Sequence, residues 1–392
     1  MTMPKVSILT FSKFSLISVG MWKLQLPIEY RIATKIYAVY SAFINIYFPT
    51  FVASLCIQFA ISVSSDFDQD MFKQLSYAIS LLITYYITLV TRGDRFTEIV
   101  AQVIEQEGRM LRSEDPEVLG SHLNEVRDDW RILLFFFTFT IGTGLTVILE
   151  NFWYNMEVAI YNKKHNTTLE RPITIDLYYF TMNKRKHETL VLIITELAVI
   201  FNTVILFSTK AIVFTCIMFA SSALKELQIR FRKVGSCRED PWRKLNDLVV
   251  DHQKLIEFVR KLNVSIKFLV LLEYILNSLN MAAVSIQFLM SQNKTLLTPA
   301  FYFCFVLVQV FILGLTSDEI KVQSLKLSDS LYHSPWYNQG GRVKKNLLIV
   351  IARAQRPLEL TIGPFNPMTM ESALAILKAS YSYVTLMMHG YQ

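Results

Sequence analysis

The stretch ILLFFFTFTIGTGLTVILENFWY, Ile132–Tyr154, decides what kind of protein this chain is. It is apolar over the thickness of a bilayer core and carries a single charge, Glu150, near its end. About 20 residues at a rise of 1.5 Å cover a ~30 Å hydrocarbon layer, so the stretch reads as a membrane-spanning helix. Six further runs read the same way: Ile36–Val63, Met71–Val90, Leu190–Phe207, Phe268–Met290, Pro299–Ile320 and Pro367–Tyr391. The composition agrees. With 52% hydrophobic and 13% aromatic residues and only 12 Gly and 11 Pro in 392 residues, the chain has more apolar surface than one soluble core can hide. The expected fold is all-α: a polytopic membrane protein of seven transmembrane helices.

Lys and Arg cross membranes reluctantly, so their placement sets orientation, and short loops weigh most. Lys5, Lys13, Lys23, Arg31 and Lys35 precede the first span, and the connections after the second, fourth and sixth spans each carry six or more basic residues. The loop after the first span has none and the loop after the fifth has only Lys294. The longer loop after the third span carries six, against the trend. The N-terminus is therefore expected in the cytoplasm and the C-terminus outside. No cleavable leader is expected, because Lys13 and Lys23 interrupt the first apolar stretch and no small-residue cleavage site follows it. The glycosylation sequons at Asn166 and Asn293 fall on the outer side in this arrangement, and a third at Asn263 falls inside and should be bare. The arrangement opposes that of a G-protein-coupled receptor, and neither a D-R-Y-like triplet nor an N-P-x-x-Y is present.

Beyond the fourth span the helical pattern continues from Lys210 to Lys233, breaks at Gly235 and Pro241, and resumes at Trp242. Leu245, Leu248, Val249, His252, Leu255, Ile256 and Val259 then share one face, opposite Arg243, Lys244, Asp247, Asp251, Lys254 and Arg260. A shorter helix after the sixth span carries Val343, Leu347, Leu348 and Ile351 on one face. Helices of this length need a neighbour for their apolar faces, supplied either by another subunit or by the same chain. The expected organisation is a cytoplasmic N-terminal segment, 1–35, followed by spans one to six over 36–320 with a cytoplasmic hairpin at about 210–267. A cytoplasmic anchor helix region, 321–366, and the seventh span, 367–392, complete it.

Cys56, Cys216, Cys237 and Cys304 show no paired spacing, so neither a disulfide framework nor a metal site is expected. No H-E-x-x-H, G-x-S-x-G or suitably placed Asp pair suggests an intramembrane enzyme, and no cofactor or nucleic acid is implied. Internal repeats with broken helices, the mark of many transporters, are absent from the sequence.

The segment LSDSLYHSPWYN, Leu327–Asn338, and the run LLIVIARAQRPLELTIGPFNPMTMESALAILKASYSYVTLM that follows resemble the insect odorant receptor family. VGMWKLQLP, Val19–Pro27, is similar to that family's N-terminal segment around a Trp. The middle of the chain matches in hydropathy and loop length. A gustatory receptor of the same superfamily would more often end in T-Y-x-x-x-x-Q-F, whereas this chain has Ser382-Tyr383-Val384-Thr385-Leu386. The resemblance implies an odorant-gated, non-selective cation channel in the plasma membrane of an olfactory sensory neuron. It also implies a heterotetramer with a shared odorant co-receptor. The connection after the fourth span lacks the co-receptor's long insertion, so the chain looks like a tuning subunit whose partners are that co-receptor, a small volatile and membrane lipid.

The resemblance places the pore on the seventh span, where Ser382, Thr385 and His389 share a helical face. Tyr383, Thr385, Leu386 and His389 are the pore candidates, with Leu386 at a hydrophobic constriction that gates by dewetting. A register shift of one residue exchanges Leu386 for Met387. The odorant pocket is expected among the second, third, fourth and sixth spans. Tyr77, Leu81 and Thr84 are its candidates on the second, and Thr143, Val147, Glu150, Asn151 and Trp153 on the third. Thr195, Glu196 and Val199 follow on the fourth, and Tyr302 and Phe305 on the sixth. A carboxyl inside the membrane costs ~2.5–3.5 kcal/mol, so Glu150 and Glu196 are expected to face a ligand, each other, Lys210 or nearby water.

Overall fold

A computed structural model describes residues 7–22, 31–63, 69–167, 187–234, 241–290 and 297–390, together with residues 169, 173, 175, 177 and 178. Ten helices carry the fold: α1 (Thr10–Ser18), α2 (Arg31–Val63), α3 (Gln69–Arg92), α4 (Asp94–Met110) and α5 (Pro116–His165) come first. They are followed by α6 (Glu188–Arg232), α7 (Pro241–Met290), α8 (Leu297–Tyr332), α9 (Gly341–Ala354) and α10 (Met370–Gly390). Among the described residues, α2, α3, α5, α6, α7 and α8 are long and apolar enough to cross a membrane. The chain is an all-α polytopic membrane protein. Its outer faces fit that solvent: Ile32, Ile36, Val39, Phe43 and Ile46 of α2, and Leu145, Leu149 and Phe152 of α5, all point away from the protein. A soluble chain does not expose apolar surface so continuously.

The spans extend well beyond the apolar runs. Helices α5 and α7 are each 50 residues long, about 75 Å at 1.5 Å per residue, more than twice the ~30 Å core. Residues 210–232 prolong α6, and Pro241 starts α7, which continues through the amphipathic stripe without a break into the fifth span. Helix α6 is the pillar around which the rest is arranged, with every residue from Phe207 to Leu224 buried. The stripe on α7 packs inside the chain, where Leu245, Leu248, Leu255 and Val259 join the same core as α6.

Four details correct the sequence reading. The opening segment contains a helix, α1, whose Phe11 ring packs against Trp130, Phe137 and Phe207, and whose Ser12 hydroxyl meets Thr215 Oγ1 at 2.6 Å. On α9 the buried face is Val343, Leu347, Val350 and Ala354, and Leu348, one residue further round, is 57% exposed. The seventh span begins at Met370 and not Pro367, because Asn366–Pro367 (β2) pairs antiparallel with Thr361–Ile362 (β1). Gly363 turns that hairpin at φ +57°, a conformation costly for any residue with a Cβ, and a Cβ there would sit 2.8 Å from Leu271. Asn263 Oδ1 clamps the hairpin by accepting from Thr361 N at 2.8 Å, which gives the inner sequon a structural use.

Lys210 is the fourth. It meets neither Glu150 nor Glu196 but Glu273 of α7, with Nζ to Oε1 at 2.5 Å, and Gln309 Nε2 of α8 donates to the same oxygen at 2.5 Å. Lys210 and Glu273 are both buried, so three helices are joined by charges that need one another. Removing one partner of such a pair strands the other, at about 3–5 kcal/mol, whereas replacing both by apolar groups is often neutral. Glu273→Leu should therefore lower the thermal unfolding midpoint of the purified protein by several degrees, and Lys210→Met in the same molecule should recover most of the loss.

Asp115 caps α5, accepting from Glu117 N at 3.0 Å, and pairs with Lys233 at 2.6 Å. The hydrogen bonds from Lys233 hold its carboxyl below the ordinary carboxylate range. Because the folded value is depressed, the stabilisation is complete above the unfolded value of about 3.9 and disappears as pH falls through the folded one. Asp115→Ala should cost about 1 kcal/mol near neutral pH, and the difference from the unaltered protein should shrink progressively in melts taken at successively lower pH below about 3.9.

Candidate functional site

A cavity of about 80 Å³ lies between α3, α5, α6 and α8. Its walls follow from helical periodicity, since each helix contributes residues three or four apart. Tyr77, Ser80 and Leu81 come from α3, and Thr140, Thr143, Gly144 and Val147 from α5. Val199, Asn202, Thr203 and Leu206 come from α6, Tyr302 and Phe305 from α8, and Ile175 from the connection after α5. Among the described residues no charged side chain lines it. Gly144 opens space between α5 and α6, for a Cβ at that position would meet Thr203 Oγ1 at 3.0 Å.

Aromatic rings form the wall and the layer beneath. Tyr302 stands edge-on to Tyr77 at 6.4 Å and lies 6.1 Å from Phe305, which in turn stacks on Phe136 at 6.0 Å. Phe136 stacks on Phe207, the ring that receives Phe11 of α1. Asn280 of α7 donates to the Tyr302 hydroxyl at 2.9 Å and to Ser80 Oγ at 3.2 Å, and the Ser80 and Tyr302 hydroxyls bond one another. Leu206 and Phe305 are each about one turn from Lys210 and Gln309, so the ionic cluster lies directly below this layer.

The structure brings Tyr77, Leu81, Thr143, Val147, Val199, Tyr302 and Phe305 together around the cavity and leaves six other candidates off it. Thr84 is buried, with its hydroxyl donating to Ser80 O at 2.8 Å. Glu150 and Asn151 lie a turn beyond Val147, and Thr195 and Glu196 a turn beyond Val199, toward the same end of the antiparallel pair. Asn151 Nδ2 donates to Glu196 Oε1 at 2.5 Å there. Trp153 is 75% exposed and points away from the bundle. The expectation was displaced by one helical turn on α5 and α6. Stepping three or four residues from Val147 and Val199 in the other direction reaches Gly144, Thr140, Asn202, Thr203 and Leu206; only Ile175 has no periodic signal.

On α10, Ala373, Ile376 and Ser380 face the protein, with Ser380 Oγ donating to Ser278 O of α7 at 3.2 Å. Leu374, Lys378, Tyr381 and Ser382 are exposed, as is Tyr383, and Thr385 is half-buried. The side chains of Leu386 and His389 lie outside the described residues, as does Asn293. Asn166 is exposed at the C-cap of α5, in the left-handed region at φ +52°. Cys56, Cys216 and Cys304 are free thiols, and Cys237 lies outside the described residues.

The model of the family described as 7tm Odorant receptor matches residues 74–381. Among curated proteins, Odorant receptor 10 of Aedes albopictus is 32% identical over 145 residues, 37% of this chain and 39% of that protein. Odorant receptor Or2 of Anopheles gambiae is 30% identical over 190 residues, 45% of this chain and 50% of that protein. The chain's matches thus span half or less of the length of these curated relatives. In structure, the chain is similar to the insect olfactory receptor OR5 from Machilis hrabei in complex with eugenol, with a TM-score of 0.75, 15% identity and 97% of each chain covered. That likeness establishes a shared fold, and the family match over most of the sequence establishes the lineage: the chain belongs to the 7tm odorant receptor family.

Proposed function

We propose that this protein is the tuning subunit of an odorant-gated cation channel, assembled as a heterotetramer with an odorant co-receptor. The observation that carries the reading is the cavity itself: small, without a charged side chain among its described lining, walled by aromatics, and set between four helices of a membrane bundle. Pockets for drug-sized ligands are commonly about 300–1,000 Å³, so a cavity of about 80 Å³ suits a much smaller molecule, as volatiles are. The similar olfactory receptor of Machilis hrabei is in complex with eugenol, which supports a small organic ligand here. The family is one of receptors and not of enzymes.

In this reading the protein sits in the plasma membrane of an olfactory sensory neuron, with residues 1–35 inside and α10 ending outside. Asn166, exposed at the end of α5, is then on the glycosylated side with Asn293. Residues 36–320 form the ligand-binding bundle, residues 321–366 the cytoplasmic anchor, and residues 367–392 the pore helix. Support for the last comes from α10, where Lys378 and Ser382 share an exposed face, with the half-buried Thr385 one turn further along it. Tyr383, Thr385, Leu386 and His389 continue toward the outer mouth, with Leu386 at the constriction.

Expression with and without a co-receptor, with currents recorded against a volatile panel, tests the assignment. Current evoked only in the presence of both subunits is expected, and a G-protein response without current would overturn it. If Leu386 closes the pore by dewetting, Leu386→Ala should raise the unstimulated current several-fold at equal surface expression; an unchanged closed state would remove Leu386 from the gate.

A further inference from the structure

The hydrogen-bonding inventory of the cavity narrows the kind of molecule it takes, an inference that rests on the ligand-binding reading above. A hydroxyl has one proton and two lone pairs, so once the proton is committed it can only accept. Thr140, Thr143 and Thr203 have all committed theirs to their own helices, donating to Phe136 O at 2.7 Å, Phe139 O at 2.8 Å and Val199 O at 2.7 Å. Ser80 and Tyr302 bond one another and both accept from Asn280, and the Tyr302 hydroxyl donates to Ser76 O at 3.3 Å, so both hydroxyl protons are committed. These five side chains have no proton left to offer a ligand.

Asn202 goes further. It is only 5% exposed; its Nδ2 donates to the Tyr47 hydroxyl at 3.5 Å, and its Oδ1 is buried with no hydrogen-bond partner among the described residues. A bare buried acceptor costs about 1–3 kcal/mol and calls for a donor. The Tyr77 hydroxyl makes no hydrogen bond among the described residues, and Asn202 Nδ2 keeps a second proton, so the lining can still donate at these two groups. A ketone, ester or ether can accept from either but has no proton for Asn202 Oδ1 and leaves it bare. A protonated amine brings a charge into a lining that has none to match it.

We propose that the cavity selects small volatiles bearing a hydroxyl group, alcohols or phenols, whose proton is donated to Asn202 Oδ1 while the hydrocarbon body lies among the aromatic walls. The test is a matched ligand set on one carbon skeleton, comprising the alcohol, its methyl ether, the ketone and the hydrocarbon. Each is applied to cells expressing this chain with a co-receptor. The alcohol should act at concentrations on the order of tenfold lower than the other three. Asn202→Leu should bring the alcohol to the level of its ether, and surface expression of the variant at the level of the unaltered receptor reports that it folds. Equal sensitivity to alcohol and ether in the unaltered receptor overturns the proposal without touching the channel reading, and this comparison needs no variant. An alcohol preference that survives in Asn202→Leu overturns the role of Asn202. Silence to the entire set and to a broad panel overturns the ligand-gated reading and the proposal with it.

Discussion

Hydrocarbon offers no partner to a backbone amide, and that constraint organises everything else in this molecule. Each peptide group that enters the membrane must be satisfied along its own helix, so the long apolar runs have one available structure. What the helices do next is governed by α6. A helix whose residues are buried from Phe207 to Leu224 presents no lipid-facing side over that length, so neighbours must surround it: α1, α5, α7 and α8 all contribute to the core it anchors. The Lys210–Glu273–Gln309 cluster fixes the register of three of these helices, because a misplaced charge at this depth would have no solvent to reach.

Above that cluster the packing changes character. Gly144 leaves a gap where a Cβ would press on Thr203, and the Tyr77, Tyr302 and Phe305 rings stand around the space without filling it. The cavity is thus one end of a stack: open space, aromatic layer, ionic cluster, then the long extensions of α6 and α7. Helix α7 runs the length of the stack and touches both ends of consequence, holding Lys210 through Glu273 and α10 through Ser278. The cavity wall and α10 are thus both hydrogen-bonded to one continuous helix, through Asn280 and Ser278.

The candidate site was partly legible for a definable reason. Tyr77, Val147, Val199, Tyr302 and Phe305 could be found because they sit on apolar helices at depths the resemblance indicates. The periodicity that joins them to Ser80, Thr140, Asn202 and Thr203 was equally available. The charge on Glu150 and Glu196 set the expected pocket one turn beyond the cavity, because a carboxyl in a membrane attracts attention. The structure has Glu196 accepting from Asn151 beyond the cavity, and leaves the polar chemistry of the lining to side chains with no charge. Glu273, the carboxylate that does join three helices, was not singled out, because its partners lie 63 and 36 residues away along the chain.

By itself the sequence determined the class of solvent, the approximate position of the long apolar helices, and the family. Each of these depends on local quantities: the length of an apolar run, the period of a stripe, a motif of adjacent residues. Only the tertiary structure decided which stripe meets which, that Lys210 belongs to Glu273, that α1 underpins the aromatic layer, and that Asn202 lines the cavity with its Oδ1 buried and no donor to it among the described residues. Those depend on the relative rotation of helices distant in the chain, and a period of 3.6 residues states that a face exists without stating what it will face.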